Sequence, residues 1–231
     1  SGTILKNLSG SSLSFKLDEY ASSDYTVTKN EFLLTFNNDD LALRSVQRVL
    51  PYSFHAGINF ASQSLSVKMQ CSDFDPLKLV KFNSSSKSLD DLRGSKITTR
   101  SPFILDMNLE SSDLTWSADF SALLPPSVVK NQTVDVLADG DNQNIYVSSL
   151  KTNGSLADAD FSGKFNLEHL QLSGDLFVSY VNLPNGNKVS TEVYFEPEEK
   201  GFMFFMPQLY LGEQNFTAIQ GSVGLGESLS L

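Results

Sequence analysis

Apolar and polar residues alternate along most of this 231-residue chain, and this alternation constrains the fold more than any other feature. A period of two places the apolar side chains on one face of a β-strand, whereas an amphipathic helix needs a period near 3.6. Hairpin-turn signals such as Asn153-Gly154 and Asn185-Gly186 separate the alternating rows. The sequence therefore predicts an all-β fold, an elongated and curved, mainly antiparallel sheet with one apolar and one polar face.

The stretch SGKFNLEHLQLSGDLFVSYVNL, at 162–183, changes the parity of its alternation. Apolar residues occupy odd positions before Glu168 and even positions after His169. A shift of one residue inside a flat strand would turn every later side chain to the other face, so we expect a bulge or a tight turn there. The dipeptide Ser-Gly occurs in both halves, at 162–163 and 173–174, which indicates a degenerate repeat at the level of single strands.

The alternation stops between Ser72 and Arg100. Asp75-Pro76 is typical of a helix start and predicts a short helix that buries Leu77, Val80 and Phe82, and 88–93 predicts a second. We therefore expect three regions, which are an N-terminal β-repeat region at 1–71, a crossover of short helices and loops at 72–101 and a C-terminal β-repeat region at 102–231. The first residue is not Met and the last row runs to the final residue, so we interpret the chain as a fragment of a longer protein.

Charge and motif content narrow the function classes. Asp and Glu total 27 against 17 Lys and Arg, the net charge is −10, and the basic residues are scattered along the sequence. This pattern lacks the basic footprint of a nucleic-acid-binding protein. His55 and His169 are the only histidines and Cys71 is the only cysteine, which leaves no zinc-ligand spacing. Phosphate loops and nucleophile elbows are also absent, so we predict that the chain is not an enzyme and uses no cofactor.

Two acidic stretches partly match calcium loops. The stretch with Asp139 and Asp141 lacks both the glycine at the sixth position and the closing glutamate. The stretch that begins with Asp158 and Asp160 has the glycine, but its twelfth position is His169. Alternate Asp residues in a strand pattern face water, so we predict no metal site.

The apolar face has two interpretations. It can close as the dry core of a β-sandwich, as in a structural or adhesin-type domain, or it can stay open and hold acyl chains. The aromatic residues are 17 Phe, 7 Tyr and 1 Trp, and this excess of Phe disfavours a carbohydrate-binding sandwich, which needs Trp and Tyr for stacking. Many uniform strands with repeats favour the open groove.

We predict that four apolar rows line one such groove. The candidate groove residues are Phe103, Leu105, Met107, Leu109, Leu176, Val178, Tyr180, Val189, Val193, Phe195, Phe202, Phe204 and Met206.

The stretches SGKFNLEHLQLSGDLFVS, LSGSSLSFKL and YSFHAGINFASQSLSVKM resemble the degenerate β-repeats of the TamB and AsmA-like envelope family. The resemblance implies a long sheet folded lengthwise into a groove, the β-taco, whose apolar wall carries phospholipid between the inner and outer membranes. It also implies a periplasmic location in a diderm bacterium, an inner-membrane anchor, and assembly of outer-membrane proteins beside a β-barrel partner. The anchor and the barrel contact have no counterpart in this chain.

Overall fold

The computed structural model describes residues 9–21, 25–46, 52–75, 80–82, 94–126, 129 and 131–224, and these residues form strands, turns and loops without a helix. The chain divides into two compact units, Ser1–Val128 and Val129–Leu231, which we describe separately. Every pairing between strands is antiparallel. The prediction of an all-β, antiparallel fold is thus confirmed.

The described part of unit 1 contains eight strands. They are β1 (Ser12–Ala21), β2 (Tyr25–Asn37), β3 (Asp40–Ser45), β4 (Tyr52–Asn59), β5 (Ser64–Cys71), β6 (Val80–Phe82), β7 (Lys96–Asn108) and β8 (Leu114–Leu123). Their order in the sheet is β1-β2-β3-β4-β5-β7-β8, with β6 added to β2. Neighbours in sequence are thus neighbours in the sheet at nearly every step, as expected for short connections.

The helix predicted from Asp75 is wrong where the structure describes it. Val80–Phe82 forms β6, which pairs with Tyr25–Val27 of β2. On that edge of β2, strand β3 pairs only with Phe32–Asn37, so the backbone groups at Tyr25–Val27 can accept a further strand. The residues 76–79 and the second predicted helix at 88–93 lie outside the described residues.

The range expected for the crossover, 72–101, overlaps the start of β7 at Lys96. Strand β5 pairs directly with β7, which begins at Lys96, so the intervening segment leaves and rejoins the same part of the sheet. The whole segment lies within unit 1, and the division between the two units falls between Val128 and Val129.

Unit 2 contains seven strands among its described residues. They are β9 (Thr133–Asp141), β10 (Asn144–Asn153), β11 (Ala157–Asn166), β12 (Gln171–Asn182), β13 (Lys188–Glu198), β14 (Gly201–Leu211) and β15 (Gln214–Gly224). Their order in the sheet follows the sequence from β9 to β15. Each strand therefore pairs with the next through a hairpin.

The parity change at 168–169 is a tight turn. Residues 167–170 connect β11 to β12, Leu170 adopts a positive φ of 53°, and the amide of His169 donates to Asn166 Oδ1 at 2.7 Å. This hairpin places Gly163 directly opposite Gly174. The repeated Ser-Gly dipeptides thus mark two strands whose backbones meet at facing glycines.

Bulges interrupt the ladders of unit 2 at every second strand. The register shifts within β10 near Val147, within β12 between Val178 and Val181, and in the β13–β14 ladder between Thr191 and Tyr194. In β12, for example, three steps from Val178 to Val181 match two steps on β13. Each extra residue bends its strand and reverses the parity that follows.

Neither unit has a large buried core among its described residues. The buried hydrophobic residues are Cys71 and Ala118 in unit 1 and Ala138 and Val193 in unit 2. No described ladder joins β9 to β15, so the sheet of unit 2 does not close. The observed fold is an open sheet and not the closed sandwich considered as an alternative.

The side chain of Gln132, which directly precedes β9, forms hydrogen bonds with the β10–β11 turn. Its side chain is 2% exposed, its Oε1 accepts the amides of Leu156 and Ala157 at 3.0 and 3.2 Å, and its Nε2 donates to Ala157 O at 2.9 Å and to Thr152 Oγ1. The turn thereby obtains partners for two amides that point towards a buried position. Gln132 is thus a structural residue of unit 2.

We expect Gln132→Ala to lower the free energy of unfolding of unit 2 by about 2 kcal/mol, because buried amides lose their acceptor. Urea unfolding followed by circular dichroism measures the change. Gln143→Ala provides the control, because Gln143 is an exposed residue of the preceding β9–β10 turn. It should change the free energy of unfolding by less than about 0.5 kcal/mol. Equal stabilities of the two variants would contradict this role for Gln132.

Candidate functional site

The apolar face of unit 2 is formed by cross-strand rungs of apolar residues. Leu176 of β12 lies opposite Phe161 on β11 and Val193 on β13, and Phe195 lies opposite Phe204 on β14. Val193 is 8% exposed, whereas the other four side chains are only half-buried. This face is therefore apolar across neighbouring strands but only partly covered by protein.

Aromatic rings fill the centre of this face. The rings of Phe161 and Phe195 have centroids 6.2 Å apart, and those of Phe195 and Phe202 are 5.5 Å apart, both in edge-to-face arrangements. The ring of Phe204 lies over Gly221 of β15, where an added Cβ would come within 2.7 Å of the ring. Contacts of this kind stabilise rings beyond the burial of their surface. The predicted residues Phe195, Phe202 and Phe204 are thus brought together.

Other candidates in β12 to β14 share this face through the register. Val178 lies opposite Thr191, Val189 lies two residues before Thr191 on the same strand, and Phe202 lies opposite Pro197. Met206 follows Phe204 by two residues, ahead of the shift in β14. Side chains two residues apart on a regular strand point to the same face.

Tyr180 does not belong to the row in which the alternation placed it. The bulge in β12 places Val181 opposite Val189, and it pairs Tyr180 with Asp158. The Lys188 ammonium lies over the Tyr180 ring, 5.2 Å from its centroid, and Lys188 occupies the position next to Val189. The candidate role of Tyr180 is therefore wrong, because one inserted residue moves its side chain to the polar face.

Unit 1 has an apolar face of the same kind. Phe103, Leu105 and Met107 of β7 lie opposite Met69, Val67 and Leu65 of β5. These β7 side chains are half-buried and occupy one face, as predicted. Leu109, predicted as the fourth member of this row, follows the last residue of β7 and is 44% exposed in the turn. Leu109 therefore lies just beyond the paired part of β7 and not within its row.

Polar groups on the apolar face of unit 2 are already bonded. The hydroxyl of Thr191 donates to Gln208 O at 2.8 Å. Across the part of the chain that the structure describes, every buried side-chain nitrogen and oxygen atom has a hydrogen-bond partner. This face therefore offers apolar contact area and not a polar recognition pocket.

The polar face of unit 2 carries aromatic residues that the sequence analysis missed. Phe177 is 51% exposed and lies opposite Glu192, and Phe205 is 42% exposed and lies opposite Tyr194. The Tyr194 hydroxyl donates to Glu192 Oε2 at 3.0 Å, and this bond is the main reason that the pKa of Tyr194 lies above its usual value. The two faces thus differ in charge more than in aromatic content.

The acidic residues of the stretches considered as calcium loops form hydrogen bonds and an ion pair within the hairpins. Asp141 Oδ1 accepts the amides of Gln143 and Asn144, both at 2.8 Å, and the bond from Gln143 is the largest cause that lowers the pKa of Asp141. Asp160 forms an ion pair with Lys151 at 3.1 Å. Within the described ranges, His, Cys, Asp and Glu form no group of three that could hold a metal ion.

The residues that the structure describes include no helix with the length and apolar character required to cross a membrane. Comparison of the chain with protein-family models, with curated proteins and with solved structures gave no match. The functional conclusions below therefore depend on the geometry of the two units and on the sequence patterns.

Proposed function

We propose that the apolar faces of the two units bind phospholipid acyl chains, and that the chain is a periplasmic segment of a TamB/AsmA-like protein. In this function, lipid moves between the inner and outer membranes along the sheet, or the sheet supports assembly of outer-membrane proteins.

The proposal depends on one observation, which is an apolar face that the protein covers only in part. In unit 2 the half-buried residues Phe161, Leu176, Phe195 and Phe204 form neighbouring rungs, while Val193 at their centre is buried. Apolar side chains that remain partly exposed across neighbouring strands are costly in water and favour contact with an apolar partner.

The energetics suit acyl chains. Burying one methylene is worth about 0.8 kcal/mol, so about ten methylenes contribute several kcal/mol before the cost of ordering the chain is subtracted. The Thr191 hydroxyl on this face already donates to the backbone, so it is not available as a donor to a headgroup. Such binding holds the lipid without one preferred position, which permits movement along the face.

Photocrosslinking with a benzophenone amino acid at adjacent positions of β14 tests the proposal. Position 204 is on the apolar face and position 205 is on the polar face, and both carry Phe, so the two probes replace equal side chains. We expect lipid crosslinks from position 204 to exceed those from position 205 by at least about tenfold in diderm bacterial cells, because only the apolar face contacts acyl chains.

Two outcomes would contradict acyl-chain binding. Equal labelling from both positions would indicate general adsorption to membranes. Silence from both positions, in protein whose circular dichroism matches the wild type, would mean that no lipid occupies the face.

A further inference from the structure

Three basic residues that are far apart in sequence meet on the polar face of unit 1. Arg44 of β3 lies directly opposite His55 of β4, and His55 lies directly opposite Lys68 of β5. All three side chains are exposed. Directly opposite residues have Cβ atoms about 5 Å apart, so this cationic row spans about 10 Å across three strands.

The acidic residues near the cationic row do not lie directly opposite any of its three members. Asp106 on β7 lies opposite Ser66, two residues from Lys68 along β5. On β2, Glu31 lies opposite Lys16. Asp119 on β8 accepts from Arg100 Nε at 2.6 Å. The described strands of unit 1 therefore place no carboxylate within the row, in a protein whose net charge is −10.

A concavity of 590 Å³ adjoins the row. Its lining includes the three basic residues, Ser53 and Gln70 as polar neighbours, and apolar residues at both ends such as Leu33 and Pro102. Leu33 of β2 lies directly opposite Arg44, and Ile104 of β7 lies directly opposite Lys68. Cationic side chains are thus grouped in a shallow site with apolar flanks.

We propose that this cationic row binds the phosphate group of a ligand. Arg44 and Lys68 lie on either side of His55, so their two positive charges can act on one anion bound between them. Arginine forms paired hydrogen bonds to phosphate oxygens, and lysine supplies a mobile point charge. The phosphate belongs to a lipid headgroup or to a soluble phosphate compound, and both present the same chemistry to the row. The proposal is independent of acyl-chain binding, because the row lies on the opposite face of the sheet.

Titration of the whole chain, followed by NMR or calorimetry, tests the site with two probes at constant ionic strength. The probes are inorganic phosphate and dihexanoyl phosphatidic acid below its micelle concentration. We expect the double variant Arg44→Gln, Lys68→Gln to weaken binding of the responding probe by about tenfold, because charge-assisted hydrogen bonds are lost. Lys164→Gln is the control, since Lys164 has the same charge but lies over the Tyr146 ring in unit 2, and it should change affinity less than twofold.

Each outcome assigns or overturns the site. Equal binding of both probes assigns recognition to phosphate alone, and binding of the lipid probe alone, lost in the double variant, assigns a headgroup with its flanking apolar contacts. Absence of binding by either probe, or equal affinity in the wild type and the double variant, overturns the proposal. The double variant should melt close to the wild-type temperature without phosphate, because Arg44 and Lys68 are exposed, so a loss of binding is not a loss of folding. Crosslinking from position 204 is measured in unit 2 and separates a failure here from a failure of acyl-chain binding.

Discussion

Replacing Gly174 by valine should lower the free energy of unfolding of unit 2 by about 4 kcal/mol, a large effect for one residue. Gly174 has a φ of 143°, which L-residues rarely adopt. A Cβ at this position would come within 2.2 Å of Ser162 O and 2.6 Å of Gly163 Cα. Because both atoms belong to the facing backbone, the β11–β12 ladder must separate locally to accept the side chain. Urea unfolding monitored by circular dichroism gives the loss.

Gly186→Ala separates the two causes of this effect. Gly186 has a φ of 84°, but an added Cβ there would meet nothing within 4 Å. Gly186→Ala should therefore lower the free energy of unfolding by only about 1 kcal/mol, because only the backbone conformation disfavours alanine there. If Gly174→Val destabilised the protein no more than Gly186→Ala, the close approach of the two strands would be refuted.

The strand pattern and its apolar face could be predicted because alternation records which face of each strand avoids water. Phe202, Phe204 and Met206 occupy every second position of β14, and the structure keeps them on one face. The turn after Asn166 was also predictable, since a change of parity has few structural causes.

Bulges account for the errors within strands. Leu176, Val178 and Tyr180 occupy every second position in the sequence, yet an extra residue in β12 places Val181, and not Tyr180, opposite Val189. Whether a strand contains an extra, bulged residue depends on its pairing with both neighbouring strands. A local sequence pattern carries no information about that pairing. Leu109 shows the related limit at strand ends, because the alternation continues past Asn108 while the pairing stops.

The cationic row was missed for a different reason. Arg44, His55 and Lys68 are scattered in the sequence, and two hairpin registers bring them together. Register depends on the length of each turn, and a difference of one residue would place His55 on the other face. Scattered charges therefore argue against a linear basic segment but not against a row that runs across strands.

Under the proposed acyl-chain binding, phospholipid copurifies with the protein, and substituting Asp for Leu176 should reduce its amount by at least about tenfold. Leu176 lies between Phe161 and Val193 on the apolar face. An acyl chain bound there would remove water from the introduced carboxylate, and this desolvation costs several kcal/mol. Phe177→Asp is the matched control, because Phe177 is the next residue on β12, points to the polar face and is 51% exposed. It should retain wild-type lipid, as measured by mass spectrometry of extracts from equal amounts of protein.

The Leu176→Asp result depends on a folded sheet, which Leu176→Ala helps to test. Alanine shortens the side chain without adding charge, so it should retain most of the lipid while it destabilises the protein through lost apolar contact. If Leu176→Ala and Leu176→Asp unfold at similar urea concentrations but only the Asp variant loses lipid, the charge itself blocks the path. Equal lipid contents in Leu176→Asp and Phe177→Asp would instead mean that acyl chains do not reach this face, and the open sheet of unit 2 would then require an apolar partner other than lipid.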